Sequence, residues 1–178
     1  MDKEQWEEKY RSDPHGQIPD PAALLRNNTR LFSGGGTALD MAMGMGQNAV
    51  FLASHGYDVT GVDRSAGAVT LTQEHADKNG VSLRAVAQDM AAFGIVENSY
   101  DMIVAFYFLE RSLFPEIKKG LKKNGLFFLK PIPLRRPALA ARKILTFFSS
   151  PTNSSVPSWI FLLSSTTKGH RGGKPLQA

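Results

Sequence analysis

In Leu39-Asp40-Met41-Ala42-Met43-Gly44-Met45-Gly46-Gln47-Asn48-Ala49 a short apolar run gives way to two closely spaced glycines and then to a helical pattern. Residues 38–42 predict a buried strand, and residues 47–54 predict a helix closed by Gly56. The glycines at 44 and 46 therefore fall on a strand-to-helix turn. Glycine there permits a tight turn and close approach of backbone to a ligand, and the helix that follows starts with unpaired N–H groups. By itself Gly-x-Gly-x-x-Ala suits a purely structural turn as well as a binding one. Its surroundings decide between them.

Downstream, residues 57–62 predict a second strand that ends at Asp63, 19 residues beyond Gly44. A carboxylate in that place can accept both hydroxyl protons of a ribose. It could instead cap the next helix, but Ser65 stands ready for that role ahead of a helix running to about Asn79 and stopped by Gly80. Asp63 is thus expected to be an exposed crevice carboxylate with little bearing on stability. Residues 81–87, 100–106 and 126–129 read as three further strands. Asp89 follows the third; with Met90 it can bind an adenine amino group while the thioether packs on the ring, or it can be a surface turn residue. The strand at 100–106 is core except at its end, where Phe106 and Tyr107 should reach the ligand crevice. Strands separated by helical segments predict an α/β, Rossmann-like, doubly wound and mostly parallel sheet with right-handed crossovers.

Upstream, Trp6 and Tyr10 share one helical face. Asp20-Pro21 reads as an N-cap with proline at the first helical position. The helix after it would bury Leu24, Leu25, Leu31 and Phe32 and end at Gly34-Gly35-Gly36. The expected organisation is an N-terminal helical cap over residues 1–33, the sheet domain over 34–130, and an atypical tail over 131–178.

The chain has 178 residues, 42% of them hydrophobic, and no cysteine. That length suits one domain with a real core. No apolar run approaches the ~20 residues of a membrane span, and Met1-Asp2-Lys3-Glu4-Gln5 lacks a signal-peptide core. Disulfides and a thiolate metal site are excluded; no metal is expected, and a cytoplasmic location is. The formal charge of +5 is unevenly placed. Residues 131–178 carry seven basic side chains and no acidic one, which leaves 14 basic against 16 acidic residues in 1–130. A nucleic-acid footprint across the fold is therefore not expected. The tail clusters Pro131, Pro133 and Pro137, offers one basic amphipathic helix at 138–148, and turns Ser/Thr-rich over 149–167 around Trp159-Ile160-Phe161-Leu162-Leu163. Residues 168–174 read as disordered.

Taken in order, these pieces resemble class I methyltransferases, and more narrowly the tellurite-resistance-type methyltransferase domain. The residues that carry the resemblance are Trp6 and Glu8-Lys9-Tyr10; residues 38–52; Gly56 through Asp63; Asp89-Met90; residues 106–113; and Leu121-Lys122-Lys123-Asn124-Gly125. The resemblance covers about residues 5–130. It implies S-adenosylmethionine as cofactor and a small-molecule or small-anion methyl acceptor. Asp40, Ala42, Gly44 and Gly46 would surround the methionine portion, Asp63 the ribose, and Asp89 with Met90 the adenine. Asn48 and Phe106 would complete the wall. Tyr107 and Arg111 are candidates for orienting an acceptor, Arg111 equally a surface or helix-capping residue; no catalytic base is implied. Members usually carry an acidic residue where this chain has Met45 and an arginine where it has Gln47. They also continue past the fifth strand into an antiparallel pair, whereas residues 131–178 show no convincing hairpin. A reading-frame change near Lys130 would account for that tail; the alternative is a genuine variant tail that binds an acidic partner.

Two other functions fit parts of the pattern. A non-catalytic, truncated remnant of the same fold would keep the cofactor groove alone. An NAD-dependent oxidoreductase would also use a glycine turn followed by an acid, although Asp40 at the strand end would face the pyrophosphate.

Overall fold

The computed structural model describes residues 3–12, 18–130 and 160–162. Its frame is a sheet of order β3-β2-β1-β4-β5-β6, with β1 Gly36–Met41, β2 Tyr57–Asp63, β3 Arg84–Ala87, β4 Tyr100–Phe106, β5 Leu121–Lys130 and β6 Ile160–Leu162. The first five run parallel, and β6 lies antiparallel on the β5 edge. Helices α1 Lys3–Ser12, α2 Ala23–Arg26, α3 Gln47–Ala53, α4 Ala66–Lys78 and α5 Phe114–Gly120 complete the fold. The chain order reverses between β1 and β4, and that switch point opens a crevice beyond the strands' carboxyl ends.

Strand periodicity sorts the core into two layers. Leu39, Met41, Ile103, Ala105, Phe127 and Leu129 pack on one face with Phe114 and Ile117 of α5. Ala38, Met102, Val104, Leu126 and Phe128 pack on the other with Leu25 of α2 and Ala49 and Leu52 of α3. Asp40 alternates onto this second face, beneath α3. The parallel αβ architecture expected from the sequence is the one observed.

Several boundaries differ from expectation, each for a local reason. Asp20 does not cap α2. The N-cap is Ala22, whose N–H donates to Asn48 Oδ1 at 2.8 Å, so a buried side chain across the fold takes the place of a local cap. Leu31 sits on a separate 3-10 turn and Phe32 follows it in extended backbone. β1 begins at Gly36, inside the expected stop. β3 begins at Arg84 because the Val81 N–H bonds to Ala76 O at the end of α4 and so belongs to the helix stop. β5 reaches back to Leu121, past a register shift opposite Tyr100. α5, with Pro115 in its first turn, was not expected as an element.

Residues 160–162 pair with 126–128, because the last parallel strand leaves a free edge of N–H and C=O groups. The expected helix at 138–148 and the disordered stretch at 168–174 lie outside the described residues.

Candidate functional site

At the end of β1 the chain must turn sharply to enter α3, and Ala42 does so at φ +55°, followed by Gly44 at +58° and Gly46 at +75°. Gly46 is obligatory: a Cβ there would stand 2.5 Å from Thr72 Cγ2 of α4. A Cβ on Gly44 would meet the Tyr10 hydroxyl at 3.1 Å. The loop is pinned from behind. Met43 N–H donates to Val62 O at 3.0 Å, Thr72 Oγ1 donates to Gly44 O at 3.0 Å, and His75 hydrogen-bonds the Met45 backbone.

Above this loop lies an open cleft of about 910 Å³ at the carboxyl ends of the strands. Of the residues expected at the site, Ala42, Gly44, Asn48, Asp63, Asp89, Met90, Phe106 and Tyr107 line it. Gly46 sits behind the loop wall. Asp40 is 1% exposed and lies under the floor. Arg111 is exposed on a 3-10 turn and is not among the lining residues; its neighbour Glu110 is, so an acceptor-orienting role for Arg111 finds no geometric support.

The electrostatics centre on two buried carboxyls. Burial, with the Asp63 charge nearby, pushes Asp40 up to about 8, against a hydrogen bond from the Ala49 N–H. Asp40 Oδ2 has no hydrogen-bond partner among the described residues. Asp63 is 7% exposed. Its Oδ2 accepts the Gly44 N–H at 2.9 Å and its Oδ1 accepts the Ser65 N–H at 3.0 Å. Burial raises its carboxyl, against those hydrogen bonds and Arg64. The exposed crevice carboxylate expected from the sequence is therefore a buried tie between glycine loop and α4. Ser65 does cap α4, accepting the Ala68 N–H at 3.2 Å.

The adenine candidate is also engaged. Asp89 Oδ2 pairs with Arg64 at 2.8 Å and Oδ1 accepts the Ala91 N–H at 3.0 Å. Each carboxylate oxygen keeps capacity for a second hydrogen bond. Met90 beside it is buried. Tyr107 is 53% exposed and held at φ +60°, with its N–H donating to Lys130 O at 2.6 Å and the Lys130 ammonium 5.2 Å from its ring.

The N-terminal helix was not expected at the site, although Trp6 and Tyr10 had been placed on one face. Trp6, Lys9 and Tyr10 all line the cleft. The Trp6 and Tyr10 rings stack at 5.9 Å with the Lys9 ammonium 4.5 Å from the Trp6 ring. α1 is moored on α4, where Gly67 N–H donates to Glu7 Oε1 at 3.2 Å. Burial, then the Asp63 charge, pushes the Tyr10 hydroxyl up to about 12. Gln47 also lines the cleft, with its Oε1 buried and without a hydrogen-bond partner among the described residues. No group of three or more His, Cys, Asp or Glu side chains could hold a metal among the described residues, and no helix there is long and apolar enough to cross a membrane.

Residues 38–125 match the family model of a methyltransferase domain. The chain is 31% identical over 113 residues to the probable S-adenosyl-L-methionine-dependent methyltransferase TehB of Haemophilus influenzae, covering 62% of this chain and 36% of that protein. It is 33% identical over 121 residues to the ribosomal RNA small subunit methyltransferase C of Alcanivorax borkumensis, covering 66% and 37%. The chain thus spans little more than a third of the length of these relatives. Among solved structures, the YcgJ protein of Bacillus subtilis superposes with a TM-score of 0.56 at 23% identity, over 70% of this chain and 56% of that one. That likeness bears on the fold.

Proposed function

We propose that residues 38–125, which match a methyltransferase domain and are similar to TehB, form a class I methyltransferase domain whose cleft binds S-adenosylmethionine for methyl transfer to a small-molecule acceptor. The observation that carries the reading is the cleft itself: an open space of about 910 Å³ at the switch point, walled by the glycine loop and by Asp63, Asp89, Met90 and Phe106. Its size suits a cofactor together with a small acceptor. The Gln47 amide oxygen at the cleft, without a donor among the described residues, fits a ligand that brings N–H groups. When bound, S-adenosylmethionine supplies a methyl group already activated by its sulfonium.

The chain's own task is then alignment, since holding two reactants in line can carry much of such a displacement. We assign the acceptor side to Tyr107, Phe108, Leu109 and Glu110, which line the cleft together with Trp6 and Lys9 of α1. A base is needed only for an acceptor that must lose a proton. An RNA acceptor is disfavoured by charge, because residues 1–130 are slightly acidic.

A dinucleotide is disfavoured by the family and not by Asp40. That carboxyl lies beneath the floor and holds its proton near neutrality, so it would not repel a pyrophosphate. Calorimetric titration of the purified chain with S-adenosylmethionine, S-adenosylhomocysteine and NAD tests the reading. Binding of the first two and not of NAD is expected; tighter binding of NAD would overturn it. Cofactor binding without methyl transfer to any small acceptor would identify the non-catalytic remnant.

A further inference from the structure

Thr72 lies in the middle of α4, fully buried, and is not among the residues that line the cleft. A threonine inside a helix ordinarily turns its hydroxyl back to the carbonyl one turn earlier. Thr70 on the same helix does so, donating to Ala66 O at 3.2 Å. Thr72 does not. Its Oγ1 reaches 28 residues back along the chain and donates to Gly44 O at 3.0 Å, while its methyl fills the space that a Cβ on Gly46 would need. One turn further along, His75 hydrogen-bonds the Met45 backbone, and its Nδ1 is buried with no hydrogen-bond partner among the described residues. Buried polar atoms are nearly always paired, so a ring left in that state needs a reason. The contact with Met45 supplies one.

The glycine loop needs such support. Ala42, Gly44 and Gly46 all stand at positive φ, and for an alanine that conformation persists only where the surroundings enforce it. Gly44 is held on both sides of its peptide chain: its N–H donates to Asp63 Oδ2 at 2.9 Å and its C=O accepts from Thr72. Asp63 lines the cleft, whereas Thr72 reaches the cleft only through the loop. The affinity of a ligand is reduced by the fraction of time that its site is correctly formed. A bond that raises this fraction acts on affinity without touching the ligand.

We propose that Thr72 is a positioning residue of the site: its hydroxyl, donating to Gly44 O, keeps the glycine loop in the arrangement in which the cleft accepts its ligand. His75 supports the same loop at Met45. The inference rests on the reading of the cleft as an S-adenosylmethionine site, and it adds to that site a residue that makes no contact with the ligand.

The test is calorimetric titration of the full chain with S-adenosylhomocysteine, set beside amide exchange of Gly44 and Gly46 in the free chain. Thr72→Val keeps the shape and removes the hydroxyl. Affinity should fall about fivefold, as for one neutral hydrogen bond, and both amides should exchange faster. Thr72→Ser restores the hydroxyl and should return affinity to within about twofold of the parent chain. Thr70→Val removes an exposed hydroxyl from the same helix and should change neither readout. A hydrogen bond that served only the fold would leave the affinity of the folded chain as it was, so unchanged binding by the Val variant overturns the inference. So does a Ser variant as weak as the Val variant, which would assign the effect to the methyl group.

If the Val variant does not fold, His75→Leu carries the test, because it releases the loop at Met45 from a position only partly buried. Its affinity should fall in the same direction, and unchanged binding there overturns the inference. If the parent chain does not bind S-adenosylhomocysteine, the cofactor reading itself falls, while the exchange of Gly44 and Gly46 still decides whether Thr72 holds the loop.

Discussion

The two edges of the sheet treat an aspartate in opposite ways. At the amino edge, Asp101 Oδ2 receives the Thr37 N–H at 2.8 Å, the Thr37 hydroxyl at 3.1 Å and the Lys122 ammonium at 2.8 Å. Burial opposes its charge, but those donors together hold its carboxyl below the ordinary range. At the carboxyl edge, Asp40 and Asp63 are raised, and neither forms an ion pair among the described residues. Backbone strain divides the same way. The non-glycine positive-φ residues near the amino edge are Asn98 and Asn124, a residue type that tolerates that conformation. Those at the carboxyl edge are Ala42 and Tyr107, which tolerate it poorly. Where the sheet only has to stand, charge and backbone are satisfied. Where a ligand is to enter, both are held in deficit.

Asp63→Ala should give the largest effect, because it acts on both counts. It removes the acceptor of two buried N–H groups and the expected ribose contact. Denaturant unfolding should show a loss of about 2–3 kcal/mol, and calorimetry a ten- to hundredfold loss of affinity for S-adenosylhomocysteine, as for about 1.5–3 kcal/mol. Unchanged stability would break the tie between glycine loop and α4 described above.

Asp101→Ala is the counterpart at the other edge. With the group partly open to water, the loss of stability should be about 1–2 kcal/mol, and cofactor affinity should stay within about twofold. Weaker binding of the cofactor would mean that the two edges are coupled and the contrast is false.

The smallest effect is in pH. A carboxyl raised in the folded state keeps a proton that the unfolded chain has released, so stability falls as pH rises. For Asp40 that window runs from its ordinary 3.8 to about 8. Asp101, depressed in the fold, contributes stability above 3.8 that is lost as pH falls below it. Asp40→Asn should therefore flatten the fall in stability between pH 4 and 8 and leave the acid limb unchanged. A ligand cation near Asp40 favours its charged form. Binding of S-adenosylmethionine at pH 7 should release protons, seen as a buffer-dependent binding enthalpy. Affinity should rise from pH 6 to 9 by less than about tenfold, the worth of one pKa unit. Proton uptake on binding would reverse the assigned sign.

Residue pattern alone carried the sheet and the turn, because β1, the glycine loop, β2 and the Ser65 cap are local in sequence and each has its own signature of period, φ or capping. The environment of a side chain is not local. Asp63 reads as a strand-end acid, and only packing shows its two oxygens closed over by Gly44 and Ser65. The same holds for Asp40, whose position was clear but whose burial under α3 was not. Trp6 and Tyr10 were visible as a face, but nothing nearby in the chain says that the face covers the cleft. α5 escaped because Phe114–Gly120 is short and carries few apolar positions. β6 escaped because a three-residue edge strand is specified by its partner's free edge more than by its own residues.

The antiparallel seat of β6 also sets an order of events. Every other strand among the described residues has been made once residue 130 leaves the ribosome, but the described partner of the β5 edge comes thirty residues later. At about 5–20 residues per second, that edge waits roughly 1.5–6 s with Leu126-Phe127-Phe128-Leu129 unpaired on one side. A short apolar strand left open in this way is a template for association with other nascent chains. Lys122 and Lys123 before it and Lys130 after it are placed as charged gatekeepers. They guard the growing chain during an interval that the finished fold no longer contains.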